Sequence, residues 1–113
     1  MKDFIFLFRS PHSELQKLSP DEMQGLMGKW NTWIKKLSDA GKYKFGDRLS
    51  RDEAKIVSDF GRIITDGPFI ESKEIVGGYI IIQAENMNEA VEISKECPIY
   101  NIKGMVEVRT SAY

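Results

Sequence analysis

Two stretches of the chain are apolar at odd and even positions alike. One reads Phe-Ile-Phe-Leu-Phe over residues 4–8, and the other reads Tyr-Ile-Ile-Ile over residues 79–82. Because successive side chains of a β-strand point to opposite faces of the sheet, each stretch predicts a strand that is apolar on both faces. Such strands lie in the middle of a sheet, so we expect these two to be neighbours at its centre.

A long amphipathic helix is predicted after residues 19–22, which read Ser-Pro-Asp-Glu. This order places Ser at the N-cap, Pro at the first helical position and Glu three residues after the cap, as in a capping box. The helix is expected to run from Pro20 to about Ala40 and to end at Gly41. Its apolar residues recur at intervals of three and four and form one stripe for the sheet. They are Met23, Leu26, Met27, Trp30, Trp33, Ile34 and Leu37.

A second helix is expected to begin at Asn86 or Asn88 and to be stopped by Pro98. Residues 13–18, which follow the first strand, predict an irregular loop instead. The inner side of the second helix is expected to carry Ala90, Val91, Ile93, Ser94 and Cys97.

The remaining pattern is that of strands. Residues 43–49 predict a second strand, and residues 55–58 and 62–65 predict a hairpin joined by a short link. Residues 105–109 alternate between apolar and polar side chains, which indicates a last strand that is half exposed or near an edge.

The order of these elements predicts an α+β fold. Packed together, these elements give the ferredoxin-like, split βαβ arrangement with an inserted hairpin. Two helices lie on one face of a mostly antiparallel sheet. Two helices cover one face, yet the two central strands are apolar on both. A second copy of the chain would cover the remaining face, so we expect a homodimer in which two sheets pack face to face.

Composition narrows the class of protein. The chain has 113 residues, as expected for one domain spanning residues 1–113. Charged residues make up 29% of it, and 16 basic against 17 acidic side chains give a net charge of −1. Because a phosphate-binding surface usually shows as a basic excess, we expect no nucleic acid as partner.

Its expected location is the cytoplasm. Cys97 is the single cysteine, so the chain has no internal disulfide framework and a reducing compartment is the simpler assumption. The apolar run near the N-terminus is too short for a signal core. No stretch approaches the roughly 20 apolar residues of a membrane span, so we expect no membrane partner.

The candidate chemistry centres on a corner at residues 66–68, Asp-Gly-Pro. Such a corner is rigid because Gly67 and Pro68 restrict the backbone and Asp66 can bond downstream amides. It either only turns the chain, with Phe69 as a core residue, or holds the Asp66 carboxylate and the Phe69 ring above a cleft. In a cleft, Asp66 would act as a general acid or base whose pKa is raised by apolar surroundings.

Other positions are candidates for ligand contacts. Arg9 or Lys73 could orient an anionic group. Gly77-Gly78 inside a strand indicates a bulge or the close approach of a loop, a partner chain or a ligand. His12 is the only histidine and a second candidate for catalysis, although a lone histidine is more often an ordinary loop residue. We expect no metal and no cofactor, because no ligand spacing or phosphate-binding loop is present.

The set formed by these motifs resembles the DGPF branch of the YCII-related family. The resemblance spans nearly the whole chain, including the helix start at Ser19. It rests on Thr-Asp-Gly-Pro-Phe at residues 65–69, Lys73-Glu74, Gly77-Gly78, Cys97-Pro98 and Val-Glu-Val-Arg at residues 106–109. It implies a dimeric α/β barrel built from ferredoxin-like units.

The resemblance implies less about activity, since most members have none defined. Some are encoded beside or fused to alternative sigma factors, and one related member is a dehydrochlorinase-like enzyme. The other YCII branch is suspected of using a His and Asp pair. This chain has Trp30 and Trp33 where that branch has its helical His, and Cys97 before Pro98 where it tends to have Asp, so only Asp66 is carried over.

Two hypotheses therefore stay open. In the first, the chain is a small-molecule enzyme that uses Asp66 in a dimer cleft. In the second, it is a non-catalytic, small-ligand-binding or regulatory dimer module.

Overall fold

A computed structural model of the chain describes residues 1–50, 53–67 and 75–112. The strands are β1 (Lys2–Ser10), β2 (Tyr43–Arg48), β3 (Ala54–Ser58), β4 (Ile63–Gly67), β5 (Ile75–Ala84) and β6 (Met105–Thr110). The α-helices are α1 (His12–Gln16), α2 (Pro20–Asp39) and α3 (Met87–Ser94). None of the described helices is long and apolar enough to cross a membrane.

Four strands form the main sheet in the order β2-β5-β1-β6, and every neighbouring pair is antiparallel. The two strands that are apolar on both faces, β1 and β5, are the central pair, as predicted. The alternating strand β6 lies at one edge, also as predicted. Without the β3–β4 hairpin, this order is that of the ferredoxin-like fold.

The core lies between one face of this sheet and the helices. Phe4, Phe6 and Phe8 of β1 point to that face and are buried, together with Ile80 and Ile82 of β5. The buried residues of α2 that close the core from above are Leu26, Trp33 and Leu37. The prediction of two helices on one face is therefore confirmed, with the short α1 beside them.

Local sequence sets the ends of α2. The Ser19 hydroxyl accepts a hydrogen bond from the Glu22 N–H at 3.1 Å, and the Glu22 carboxylate accepts one from the Ser19 N–H at 3.0 Å. These two bonds form the predicted capping box and satisfy donors that the helix leaves free. The bond from the Ser19 N–H lowers the pKa of Glu22. At the other end, Gly41 takes the left-handed conformation with φ +71°.

Three expectations for the helices are wrong. The expected loop after β1 contains α1, whose five residues are too few to show helical spacing. Val91 is exposed, because α3 has only eight residues and its inner row is Ala90 and Ser94. The helix also ends before Pro98: the N–H groups of residues 95–97 each bond the carbonyl three residues back, which tightens the chain into 3₁₀-like turns.

The inserted hairpin, β3 and β4, forms a separate two-stranded sheet. Its link is Asp59-Phe60-Gly61, and all three residues have positive φ, of 50°, 56° and 90°. The Phe60 side chain at the tip is 100% exposed, and Val57 and Ile64 are also exposed. The predicted hairpin is thus confirmed, and it presents apolar side chains to its surroundings.

The sheet face opposite the helices carries a second apolar band. Ile5 and Leu7 of β1 pair with Ile81 and Tyr79 of β5, and the Phe45 ring of β2 lies edge-on to the Tyr79 ring at 6.5 Å. No described helix covers this band, which we call the open face. It is apolar, as the sequence pattern predicts.

Candidate functional site

The described residues enclose a cavity of about 310 Å³ between α2 and the helix-facing side of the sheet. Strands β1, β2 and β5 form its floor, and α2 forms its roof. The polar residues along it are Ser10, Asn31, Tyr43, Asp47 and Arg48. Its apolar lining includes Phe8, Met23, Leu26, Met27, Trp30, Ile34 and Ile80. The site is therefore an apolar, aromatic cavity with few polar groups.

An edge-to-face array of rings fixes one wall. The Phe8 and Trp30 centroids are 4.9 Å apart with planes at 81°, and the Trp30 and Trp33 centroids are 5.6 Å apart at 73°. In this arrangement the positive edge of one ring meets the negative face of the next, which orients both rings. Trp33 is buried in the core and anchors the array, while Trp30 is half-buried and lines the cavity.

Two glycines let β2 and β5 approach closely at the floor. A Cβ on Gly78 would lie 2.8 Å from the Asp47 carbonyl oxygen, and one on Gly46 would lie 2.4 Å from the Tyr79 carbonyl oxygen. Both distances are below what side chains tolerate. Beside them, the pairing of β1 with β5 shifts register at Phe8, opposite Gly77-Gly78. The glycine pair is thus explained by a bulge and by a neighbouring strand of the same chain.

Arg48 brings a positive charge to the cavity. Its Nη1 atom lies 3.6 Å from the Met27 sulfur on α2, and its backbone N–H donates to the Asp47 carboxylate at 2.8 Å. No ion pair joins its guanidinium to an acidic side chain among the described residues. Arg48 is exposed, and in the described part of the chain its guanidinium contacts only the Met27 sulfur.

Of the predicted site residues that the structure describes, only Gly77 and Gly78 line the cavity. Arg9 lies on the open face, where its Nε donates to Glu107 at 3.1 Å. His12 begins α1; its Nε2 lies 3.0 Å from the Gln16 side-chain nitrogen, and its Nδ1 is buried without a described hydrogen-bond partner. Neither side chain is part of the cavity lining.

Asp66 lies on β4, opposite Lys55 of β3, and its carboxylate forms an ion pair with the Lys55 ammonium. The Asp66 side chain is 85% exposed and does not line the cavity of its own chain. Phe69 and Lys73 lie outside the described residues. Within the part of the chain that the structure describes, the predicted site residues are therefore not gathered in one place.

Sequence reasoning missed Arg48 and Asn31 and treated Trp30 as core. The sequence signal that could have indicated the cavity was the width of the apolar stripe on α2, which is greater than the core needs. Only part of that stripe is fully buried, while Met23, Met27, Trp30 and Ile34 are half-buried and line the cavity. A lone arginine near the end of a strand carries no sequence signal, because its role depends on which helix passes above it.

Cys97 is 3% exposed, and burial raises the pKa of its thiol to about 12. A thiol that stays protonated is a poor nucleophile, which agrees with a structural role. Among the described residues, no cluster of three or more His, Cys, Asp or Glu side chains could hold a metal ion.

Comparison with known proteins identifies the family of the chain and solved structures of similar fold. Residues 4–111 match the family model of the YCII-related domain. The fold is similar to that of 5-chloro-2-hydroxyhydroquinone dehydrochlorinase (TftG) from Burkholderia phenoliruptrix AC1100, solved in complex with 2,5-dihydroxybenzoquinone. The TM-score is 0.54 at 14% identity, over 93% of this chain and 90% of that chain, so the likeness concerns the fold. No curated protein sequence matches.

The state of Cys97 leads to a prediction about alkylation. At pH 8, a shift of the thiol pKa from 9.0 to about 12 lowers the thiolate fraction on the order of a thousandfold. Iodoacetamide should therefore modify Cys97 at least about a hundredfold more slowly in the folded protein than in urea, as followed by mass spectrometry. A Ser13→Cys variant, with its new thiol at an exposed position, serves as the control and should react quickly without urea. Equal rates at both positions in the folded protein would contradict a buried, protonated thiol.

Proposed function

This chain belongs to the YCII-related domain family, and from that premise we propose that it is a homodimeric enzyme whose substrate, a small planar molecule, binds in the cavity under α2. The cavity carries the proposal. At about 310 Å³ it is at the lower end of the range of ligand pockets, roughly 300–1,000 Å³, and it has the mainly apolar lining with a few polar groups that is typical of them.

The lining of the cavity supports a planar ligand. The rings of Phe8 and Trp30, packed edge to face, form an aromatic wall, and the half-buried Met23 and Met27 are flexible side chains that adapt to a ring. The fold neighbour was solved with 2,5-dihydroxybenzoquinone, a planar ring compound. That observation supports the same class of ligand here.

The homodimer is proposed from the open face. Its apolar centre of Ile5, Leu7, Tyr79 and Ile81 lies between charged pairs: Arg9 with Glu107 on one side, and Lys44 with Asp3 at 2.9 Å on the other. An apolar centre with a polar rim is the usual anatomy of a protein interface. A two-fold pairing of two such sheets would cover both centres at once.

In the proposed enzyme, Asp66 is the general acid or base. It is the acidic residue of the Asp-Gly-Pro-Phe motif, and its carboxylate, at 85% exposure, can be reached by a group from outside its own chain. Within its own chain this carboxylate forms an ion pair with the Lys55 ammonium. Because Asp66 does not line its own cavity, this role requires that the dimer bring hairpin and ligand together.

A second function is favoured by a different observation. Asp47 is the one acidic residue along the described cavity, its side chain lies on the open face, and no histidine or cysteine lines the cavity. A cavity so poor in proton-transfer groups is also what a non-catalytic, small-ligand-binding or regulatory dimer would have. The following predictions separate binding, assembly and catalysis.

The first prediction concerns binding. With 2,5-dihydroxybenzoquinone as probe, an NMR titration should give saturable shifts at the Trp30 indole, the Asn31 side chain and the Gly78 amide. Met23→Trp should weaken this binding at least about tenfold, because the larger side chain fills the cavity. Met87→Trp is the matched control, since Met87 is exposed on α3 and does not line the cavity. Shifts confined to the open face, or unchanged binding by Met23→Trp, would refute the cavity as the ligand site.

The second prediction concerns assembly. Light scattering coupled to size-exclusion chromatography should give the mass of a dimer at micromolar concentration. Leu7→Asp should shift it to the mass of a monomer, because a carboxylate would be desolvated at the centre of the open face. Val91→Asp introduces the same charge at an exposed apolar position of α3 and should leave the dimer intact. A wild-type monomer would disprove the dimer, and circular dichroism checks that each variant is folded.

The third prediction concerns catalysis. Asp66→Asn should lower kcat on a substrate found by metabolite screening by roughly 10²–10⁴-fold, the usual contribution of a general acid or base. Binding of the quinone probe and the dimer mass should be unchanged. Asp59→Asn, in the link of the same hairpin, is the control and should keep full activity. Full activity of Asp66→Asn would remove Asp66 from the mechanism. Saturable binding without turnover of any compound would favour the binding module.

A further inference from the structure

We propose that Arg48 binds a negatively charged oxygen of the ligand, so that the compound held under α2 is a planar organic anion. This inference rests on the proposed function of the cavity and specifies the chemical class of its ligand. Three observations carry it: the side on which Arg48 lies, the lack of an acidic partner among the described residues and the apolar character of the surrounding wall.

Strand register places Arg48 on the helix-facing side. Arg48 pairs with Gly78, which in turn pairs with the buried Phe8, so all three positions face α2. The contact between the guanidinium and the Met27 sulfur shows that the side chain extends towards the helix. Because residue 78 is glycine, no side chain of β5 stands between this guanidinium and the cavity floor.

Arg48 differs from the other described arginines in its partners. Arg9, Arg62 and Arg109 each pair with a carboxylate, at 3.1–3.2 Å. Arg48 has the Met27 sulfur as its side-chain contact, and a thioether is only a weak acceptor. A guanidinium has five N–H donors in a planar fork that matches a carboxylate. Arg48 is exposed, and no acidic side chain of the described residues occupies its fork, so a ligand can reach it.

Asp47 does not supply the missing charge. Its carboxylate accepts from the Arg48 backbone N–H, and no ion pair forms between the two side chains. Asp47 pairs with Tyr79, whose ring lies on the open face, so the side chains of Asp47 and Arg48 alternate across β2. The acid is thus directed away from the face that Arg48 occupies.

The rest of the cavity complements this one charge. Arg48 is exposed at the edge of the cavity, whereas the walls beside it are mainly aromatic and aliphatic. A ring packed against Trp30 with an anionic oxygen at Arg48 would satisfy both parts of the site. A neutral ring of the same shape would leave the guanidinium with poorer acceptors.

A matched pair of probes tests this. Benzoate and benzamide have nearly the same shape and differ in charge, and both can be titrated by NMR at the Trp30 indole and the Gly78 amide. Wild-type protein should bind benzoate at least about tenfold more tightly than benzamide, as expected for one hydrogen bond to a charged group. Arg48→Gln should abolish this preference and leave benzamide binding unchanged.

Two further variants serve as controls. Arg48→Lys keeps the charge but not the fork and should retain part of the preference. Arg62→Gln removes an arginine from the hairpin and should change neither affinity. Equal binding of the two probes at the cavity of the wild-type protein would overturn the role of Arg48 and leave the cavity as a ligand site. Failure of both benzoate and the quinone probe to bind there would instead remove the proposed function, and this inference with it.

Discussion

The packing of β1 against α2 determines where the core and the cavity of this molecule lie. Phe4, Phe6 and Phe8 of β1 lie under α2, and burial of each ring contributes about 1.5–3 kcal/mol relative to an exposed one. The packing of the aromatic rings differs between the two ends of this contact. Phe6 stacks on the buried Trp33 at 6.5 Å, whereas Phe8 meets the half-buried Trp30 at an edge. The cavity lies on the Trp30 side of the contact, so the same aromatic residues serve as core at one point and as the wall of a ligand site at the next.

The second determinant is the close approach of β2 to β5. Gly46 and Gly78 remove the side chains that would otherwise separate the two strands, and the register of β1 with β5 shifts beside Gly77. Loss of packing at a glycine weakens a strand. Here the loss is localised at the floor of the cavity, so the same glycines that let the strands approach also keep that floor free of side chains.

The fold could be predicted from sequence to a large extent because its signals are local. The capping box at Ser19, the doubly apolar β1 and β5 and the hairpin link at residues 59–61 all depend on neighbours in the chain. The site could not be predicted in the same way. Whether Arg48 faces a cavity depends on the register of β2 with β5 and on the path of α2, which are tertiary properties. The corner that begins at Asp66 attracted attention because its residue types are unusual, yet its carboxylate is exposed on a hairpin outside the main sheet, and Phe69 and Lys73 lie outside the described residues.

The Arg48 guanidinium and the Asp66 carboxylate lie in different parts of the structure, and this has a consequence for the proposed mechanism. The groups that would bind a ligand, the aromatic wall and the Arg48 guanidinium, are complete within one chain. The group proposed for proton transfer, Asp66, belongs to the β3–β4 hairpin. The apolar side chains of Val57, Phe60 and Ile64 on this hairpin are exposed. Binding would then depend on the helix-facing side of the sheet, and catalysis on an arrangement created through assembly. In the proposed dimer, the carboxylate would therefore stay away from the ligand until a second chain is present, whereas the ligand would already be held by groups of a single chain.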